Sequence, residues 1–201
     1  LSGGAPLAAY VDLPKGEEPL TIVSLSESSP GVALGTAQGV VKRVTTDYPR
    51  GNDWEAITLK DGDTVVGAAE LVSGEEDLVF ITSDAQLLRF GAASVRPQGR
   101  AAGGMAGIRL GARQRALFFG AVNPDLDAVV VTASGSSSAL PGTQAGAIKV
   151  TPYAEYPAKG RATGGVRAHR FLKGEDTLVV AWAGALPARA CGAGGVALEL
   201  P

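Results

Sequence analysis

One order of short apolar segments and turns recurs along this chain, and such a repeat limits the possible folds more than composition does. The first apolar segment of the unit begins at Val32, Leu78 and Ala128, so successive starts are 46 and 50 residues apart. A turn and a second segment with a basic residue follow, then a Pro- and Gly-rich connection, a third segment, a turn and a fourth segment. The third unit is longer because of Ser134–Gly142, a Ser-rich stretch typical of a surface loop.

Four short strands in each unit predict an all-β, propeller-type array of about four four-stranded blades. No stretch keeps a 3.6-residue apolar period, which argues against a helical repeat. A β-sandwich also contains many short strands, but it does not predict features at matching offsets. We therefore expect a single domain over residues 1–201, with whole units at 32–77, 78–127 and 128–184 and partial units at 1–31 and 185–201.

The two partial units are complementary halves of a repeat. Gly3-Gly4 stands where the whole units have Gly103-Gly104 and Gly164-Gly165, and Gly195–Leu200 matches the second strand. Pairing of these halves closes a ring and removes exposed sheet edges. The sequence opens with Leu1 rather than Met, so we expect a piece of a longer protein, and the alternative to a ring is an array cut from a longer one.

Composition excludes several classes of site. The chain contains one Cys and one His, which rules out an internal disulfide framework, a Cys-based zinc cluster and a His-rich metal site. A lone thiol fits a reducing compartment, so we expect a cytoplasmic protein, and no apolar run reaches the length of a membrane span. No carboxylate pair or Ser/His/Asp set predicts catalysis, and we expect a domain that is not an enzyme by itself and holds no cofactor.

The net charge of −2 conceals an uneven distribution. Residues 1–84 contain 5 basic and 14 acidic residues, a net charge of −9, whereas residues 85–173 contain 12 basic and 3 acidic residues, a net charge of +9. Residues 174–201 add one Arg and three acidic residues, a net charge of −2. This asymmetry indicates a polyanion as partner of the basic part, unless the charges are scattered at random over the surface.

Two of the connections share the pattern Gly-Arg-x-x-Gly-Gly, at residues 99–104 and 160–165. Glycines allow close backbone approach and positive φ, while exposed amides and an Arg suit a phosphate. The plain alternative is a turn between two strands. Neither copy fits a nucleotide-binding fingerprint, because no helix follows to point its N-terminus at the phosphate.

At these residues the sequence resembles the C-terminal β-pinwheel domain of the A subunit of bacterial type IIA topoisomerases, DNA gyrase and topoisomerase IV. The resemblance rests on Gly39–Arg43, on Phe80–Asp84 with Leu88–Phe90, and on Val95–Arg100 running into Gly107–Leu110. It extends over nearly the whole chain in successive units, so it is more specific than one short motif.

The resemblance implies a β-pinwheel that binds double-stranded DNA on a basic outer rim and bends it, steering DNA to the N-terminal cleavage core of the same subunit. The cleaving Tyr belongs to that core, and ATP and Mg²⁺ are implied only for the holoenzyme with its B subunit, at the nucleoid. Gyrase A subunits carry the basic heptapeptide Gln-Arg-Arg-Gly-Gly-Lys-Gly for tight wrapping, and this string is absent here. We therefore expect the A subunit of a topoisomerase IV, acting in relaxation and decatenation, with DNA wrapping by the A subunit of DNA gyrase as the alternative. A heptapeptide upstream of Leu1 would reverse this preference.

Cations are the candidate contacts, because proteins grip duplex DNA mainly through its phosphates. Lys42, Arg89 and Lys149 lie in the second strands of successive units, and we expect them to project outward as one column. The predicted DNA-binding residues are Lys42, Arg43, Arg50, Arg89, Arg96, Arg100, Arg109, Lys149, Lys159, Arg161, Arg167 and Arg170.

A β-propeller module whose basic arc binds an acidic protein is the alternative from another functional class. The acidic N-terminal part is expected to face away from DNA or to contact protein. His169 is either a phosphate contact or an ordinary surface residue, and Cys191 is expected to be a half-buried apolar side chain.

Overall fold

The computed structural model describes residues 5–26, 28–51, 53–140, 146–192 and 194–201 of the chain. Within these ranges β-strands dominate, and the helical segments are three 3-10 turns at Leu7–Ala9, Ala92–Ser94 and Tyr153–Glu155. The predicted all-β class is confirmed. The strands in chain order are β1 (Val32–Thr36), β2 (Val40–Val44), β3 (Val65–Glu70), β4 (Asp77–Thr82), β5 (Gln86–Gly91), β6 (Pro97–Gln98), β7 (Met105–Ala106), β8 (Ala116–Val122), β9 (Ala128–Gly135), β10 (Ile148–Pro152), β11 (Val166–Arg167), β12 (Thr177–Ala185), β13 (Ala190–Cys191) and β14 (Ala197–Leu198).

Three antiparallel sheets, here called blades 1 to 3, follow the three whole repeats. Blade 1 has the strand order β3-β1-β2, blade 2 has β8-β4-β5, and blade 3 has β12-β9-β10. The inner strand β8 packs beside both β3 and β12, so the blades meet along their inner strands. This arrangement places the second strand of each repeat, with its basic residue, at the outer side.

The outer edges of blades 1 and 2 are covered by strands from the following repeat. Both β6 and β7, from the connection of the second repeat, pair with β2, and β11, from the connection of the third, pairs with β5. The sequence did not predict this exchange of strands between repeats. It ties each blade to its successor through backbone hydrogen bonds.

The two partial repeats do not pair with each other in the described part of the chain. There, β13 and β14 pair only with one another, and residues 5–26 form no strand. The expected ring closure is therefore not found among these residues. Gly3-Gly4, which suggested it, lies outside the described residues.

A hydroxyl residue lies at the last or next-to-last position of the first strand of every blade and fixes the turn that follows. The pairing between first and inner strands shifts register beside this point, as at a β-bulge, which increases local twist. The hydroxyl oxygen then accepts a hydrogen bond from a backbone amide across the turn: Thr36 from Val40 at 3.1 Å, Thr82 from Gln86 at 2.9 Å, and Ser134 from Ala147 at 3.0 Å.

Apolar clusters fill the spaces between neighbouring blades. Between blades 1 and 2, Phe80 is fully buried, and its ring centroid lies 4.8 Å from that of Phe119. Between blades 2 and 3, buried Leu87, Tyr153 and Tyr156 belong to a second cluster. Because each cluster draws side chains from two repeats, neither repeat forms its core alone.

Candidate nucleic-acid interface

The basic residues of the second strands occupy two different registers, not one. Lys42 and Lys149 pair opposite Leu34 and Thr132, each two residues before the turn hydroxyl of its blade. Arg89 and Arg43 instead pair opposite Val79 and Ala33, each three residues before the turn hydroxyl of its blade. Adjacent positions of a strand face opposite sides of the sheet, so the expected single column of Lys42, Arg89 and Lys149 is wrong.

Lys42 is buried inside the molecule. Its side chain has no exposed surface, and its ammonium donates hydrogen bonds to the carbonyl oxygens of Arg100 at 2.5 Å and Ala102 at 2.7 Å. Burial lowers the pKa of Lys42, although the charge of Glu55 opposes this shift. The prediction that Lys42 projects outward to phosphate is therefore wrong: its cation holds the connection of the next repeat.

Arg43 has a similar role in linking repeats. Its guanidinium donates to the carbonyl oxygens of Ala92 at 3.2 Å and Val95 at 3.3 Å, around the 3-10 turn of the second repeat. It also donates to the carbonyl of Pro30 at 3.2 Å. The half-buried side chain uses its planar donors on backbone carbonyls, which leaves it unsuited to an outer rim.

Arg89 occupies the equivalent place between the second and third repeats. Its guanidinium carbon lies 4.5 Å from the ring centroid of Tyr153, one Nη donates to the Tyr153 carbonyl at 3.5 Å, and Nε lies 3.5 Å from an Asp77 carboxylate oxygen. The Tyr153 hydroxyl donates to the same Asp77 oxygen at 3.2 Å. This is the one ion pair within 4.0 Å among the described residues.

Most of the other predicted cations are on the surface. Lys149 is exposed, and its ammonium donates to the Ala168 carbonyl at 3.1 Å. Arg161 is half-buried. The remaining exposed members of the predicted set are Arg50, Arg96, Arg100, Arg109, Lys159, Arg167 and Arg170.

Three of these cations meet where the connections of the second and third repeats touch. The Ala162 amide donates to the Gly107 carbonyl at 2.7 Å, and the Arg109 amide donates to the Thr163 carbonyl at 3.0 Å. The Lys159 ammonium donates to the Gly164 carbonyl at 2.9 Å, and a Cβ built on Gly164 would lie 3.8 Å from an Arg109 Nη.

We name Arg109, Lys159 and Arg161 the junction cluster. Arg161 donates to the Ala106 carbonyl, which fixes its guanidinium on the same turn. None of the three forms an ion pair with a carboxylate of the described chain. Arg109 and Lys159 are exposed, so their charges are available to an anion from solution.

The corresponding contact between the first and second repeats differs from the junction cluster because carboxylates lie beside its cation. The Thr45 amide donates to the Gln98 carbonyl at 3.1 Å, and the Thr58 hydroxyl contacts both the Ala101 carbonyl at 2.9 Å and the Glu55 carboxylate at 2.6 Å. A hydrogen bond from Thr45 and, to a smaller extent, the charge of Arg100 lower the pKa of Asp47. Arg100 therefore lies in a more acidic environment than the junction cluster.

Two residues outside the predicted set differ from their expectations. His169 is buried, with Nδ1 2.9 Å from the Thr132 hydroxyl, and burial lowers its pKa. It is neither a surface residue nor placed for phosphate. Cys191 is exposed rather than half-buried.

The described ranges contain no group of three or more His, Cys, Asp or Glu side chains that could hold a metal ion. In the same residues, no helix has the length and apolar character needed to cross a membrane.

A family model described as DNA gyrase C-terminal domain, beta-propeller, matches residues 55–70, 76–123 and 142–181. The A subunit of DNA gyrase from Escherichia coli strain K12 is 32% identical over 168 residues, which are 81% of this chain and 18% of that protein. The crystal structure of the C-terminal domain of DNA topoisomerase IV superposes with a TM-score of 0.74 at 20% identity, over 90% of this chain and 55% of that one. The DNA gyrase A C-terminal domain gives a TM-score of 0.55 at 16% identity, over 89% and 73%.

Proposed function

Because this chain belongs to the family of DNA gyrase C-terminal β-propeller domains, we propose that it binds and bends duplex DNA as the C-terminal domain of a type IIA topoisomerase A subunit. The observation that carries the proposal is the junction cluster, in which Arg109 and Lys159 are exposed and none of the three cations has a carboxylate partner in the described chain. Phosphates are the natural ligands of such a cluster, since they supply charge without requiring a particular base sequence.

The proposed interface follows the outer connections of blades 2 and 3. Arg96 and Arg100 precede the junction cluster on the connection of the second repeat, and Arg167 and Arg170 follow it on the third. Bending a duplex smoothly over 20–30 base pairs costs on the order of 1–6 kcal/mol. Several phosphate contacts along one curved surface are needed to offset that cost, so we expect a shallow bend on one arc.

In the cell, the domain is proposed to deliver the bent duplex to the cleavage core of its own subunit. The core cuts DNA, the B subunit supplies ATP hydrolysis with Mg²⁺, and this domain has no chemistry of its own. We place this activity in the cytoplasm, at the nucleoid. The curated relative is much longer than this chain, which spans 18% of its length, and the missing activities belong to those other regions.

Two activities of the intact enzyme are compatible with this role. These 201 residues contain no Gln-Arg-Arg-Gly-Gly-Lys-Gly string, which favours relaxation and decatenation by a topoisomerase IV. The sequence similarity to a gyrase A subunit favours DNA wrapping instead. A supercoiling assay on the intact A subunit with its B subunit distinguishes them, since only a wrapping domain supports negative supercoiling.

DNA binding is tested by fluorescence anisotropy with a short duplex over a range of salt concentrations. We expect binding that weakens steeply with salt, and the variant R109A should lower the salt slope by about 1, the loss of one phosphate contact. The matched control is R189A, an exposed Arg outside the basic stretch, which should leave the slope unchanged.

Absence of DNA binding at low salt would contradict the proposed function. An equal decrease of the salt slope in R109A and R189A would contradict the assignment of the interface. The alternative function, a β-propeller module that binds an acidic protein, predicts no DNA binding at low salt.

A further inference from the structure

The turn before the inner strand has the same backbone in all three blades, and its counterpart in the N-terminal partial unit shares it. Each copy is closed by a hydrogen bond from an amide to the carbonyl three residues earlier, at 3.0–3.2 Å: Glu17 to Pro14, Asp63 to Lys60, Gln114 to Gly111 and Glu175 to Leu172. The residue before each donor has a positive φ, and in three copies it is glycine: Gly16 at 92°, Gly62 at 71° and Gly174 at 90°. In blade 2 this residue is Arg113, at 61°. A side chain makes this left-handed conformation unfavourable, so the fold alone does not favour arginine at this position.

The charge of this turn is also reversed in blade 2. Residues 14–18, 60–64 and 172–176 each contain one Lys and two acidic residues, a net charge of −1, whereas residues 111–115 contain two Arg and no acidic residue, a net charge of +2. We name residues 111–115 the basic turn. At its end, the Ala116 amide donates to the Ala37 carbonyl of blade 1 at 2.9 Å, and beside it the Ser83 carbonyl accepts a hydrogen bond from the Leu178 amide of blade 3 at 2.8 Å. The basic turn therefore lies between blades whose own turns are acidic.

The backbone of the basic turn is fixed, while its two arginines are free. The Ser83 hydroxyl donates to the Gln114 side-chain oxygen at 2.6 Å and accepts a hydrogen bond from the Arg115 amide at 3.2 Å. The side chains of Arg113 and Arg115 are exposed, and neither forms an ion pair within 4.0 Å in the part of the chain that the structure describes. An unfavourable backbone conformation that serves no contact of the fold points to a function of the side chain that it presents.

The surroundings of the basic turn combine charges of both signs. A surface depression of about 460 Å³ adjoins it and is lined by Arg113 and Arg115 on one side and by Asp176, which precedes β12, on the other. The hydroxyl and the amide of Ser137 donate to the Asp176 carboxylate at 2.6 Å and 2.7 Å, and these hydrogen bonds hold the pKa of Asp176 below its ordinary value. A ligand in the depression therefore meets two cations and one fixed anion.

This arrangement of charges fits a protein segment that carries carboxylates better than it fits duplex DNA. A duplex has one negative charge per about 1.7 Å of its axis, so a duplex over the basic turn would also lie over Asp176 and the acidic turns on either side. A protein segment can place carboxylates against the arginines alone. Arginine and carboxylate also match in shape, because the guanidinium can donate two parallel hydrogen bonds to the two carboxylate oxygens.

We propose that the basic turn is a docking site for an acidic protein segment, with one carboxylate bound by Arg113 and a second bound by Arg115. The turn leads into the inner strand β8, whereas the cations proposed to bind DNA belong to the outer connections. This inference therefore does not rest on DNA binding by the junction cluster.

The experiment uses the capped peptide Gly-Glu-Ser-Glu-Gly, whose two glutamates face the same side when the peptide is extended. It is titrated at low salt into the ¹⁵N-labelled 201-residue chain and followed by amide chemical shifts. We expect saturable shifts concentrated at residues 111–116 and at the neighbouring Ser83. The matched peptide Gly-Gln-Ser-Gln-Gly keeps the shape and removes the charges, and it should bind at least about tenfold more weakly, equivalent to about 1.4 kcal/mol.

A variant of the chain tests the two arginines without disturbing the turn. R113G R115T gives the basic turn the residues that blade 1 has at these positions, Gly62 and Thr64. We expect it to bind the Glu peptide at least about tenfold more weakly, to unfold at no lower a urea concentration than the unaltered chain, and to keep the salt slope of DNA binding. The control K173A removes an exposed cation from the equivalent turn of blade 3 and should leave peptide binding unchanged.

Four results would overturn the proposal: no saturable shifts, shifts confined to the junction cluster, equal binding of the two peptides, or undiminished peptide binding by R113G R115T. A lower salt slope of DNA binding in R113G R115T would identify the basic turn as a DNA contact instead. The two peptides are compared on the unaltered chain, so a folding defect in a variant cannot imitate their difference. Failure of the proposed function appears separately, as absence of DNA binding.

Discussion

Glu76 shows how a charged side chain can be a structural element of this fold. It is 6% exposed at the turn between β3 and β4, and its carboxylate accepts hydrogen bonds from the amides of Val72 at 2.7 Å, Ser73 at 2.8 Å and Gly74 at 2.8 Å. Burial alone would raise the pKa of Glu76, but these hydrogen bonds favour the charged form and together hold the pKa below its ordinary value.

The lowered pKa makes the stability of the chain depend on pH. The unfolded pKa of Glu is about 4.3, and the folded pKa lies lower, so the contribution is present above pH 4.3 and is lost as pH falls through the folded value. We expect E76Q to lower the free energy of unfolding by about 1–3 kcal/mol at pH 7, measured by urea denaturation. The deficit should shrink toward pH 3.

The neighbouring carboxylate provides the control for this prediction. Glu75 is exposed, and E75Q should change the free energy of unfolding by less than about 0.5 kcal/mol at any pH. An E76Q deficit of the same size at pH 7 and pH 3 would contradict the linkage.

At the scale of elements, the Gly-Gly pairs explain the repeated motif better than phosphate binding does. Gly165 has no positive φ, so its substitution introduces only the steric conflict with the Leu87 backbone, 2.5 Å from the added Cβ. The pairing of β11 with β5 depends on that close approach. The glycine is therefore required by the exchange of strands between repeats.

Replacement of Gly165 should separate β11 from β5. We expect G165A to lower the free energy of unfolding by about 1–3 kcal/mol, as for other overpacked sites. The control is G160A in the same connection, where the nearest atom to the added Cβ is 3.9 Å away and the change should stay within about 0.5 kcal/mol. Urea denaturation measures both, and equal effects would refute the packing argument.

At the scale of the whole molecule, the charge asymmetry of the sequence reappears as two unequal contacts between connections. The junction cluster has no carboxylate partner in the described part of the chain. Arg100, in contrast, lies near Asp47. The Thr58 hydroxyl also contacts both the Glu55 carboxylate and the carbonyl of Ala101, the residue after Arg100. If DNA follows the outer connections, these carboxylates repel it where the first and second repeats meet. The junction cluster, where the second and third repeats meet, is then the main point of attachment.

Neutralising the two carboxylates should strengthen DNA binding. We expect the double variant D47N E55Q to bind a short duplex about two- to fivefold more tightly at low salt, with the gain disappearing as salt screens the repulsion. The control is E75Q D125N, which removes the same charge from exposed turns between other strands. Anisotropy titrations compare them, and an equal gain in both would mean that only net charge matters.

The sequence by itself determined the class of fold and the recurrence of its parts. The spacing of apolar segments, the turn glycines and the unequal charge are local properties, and they predicted an all-β repeat array because strands and turns depend mainly on neighbouring residues. The resemblance to the topoisomerase domains was visible at the same level.

Only the tertiary structure decided which cations are available. The carbonyls that bind the buried Lys42 ammonium lie 58 and 60 residues further along the chain. Two of the three carbonyls that bind Arg43 belong to the next repeat. A one-residue difference in register also separates Lys42 from Arg89, which face opposite sides of their sheets. Pairing between distant strands sets both burial and register, so a basic residue that repeats in the sequence can become either a surface charge or an internal link.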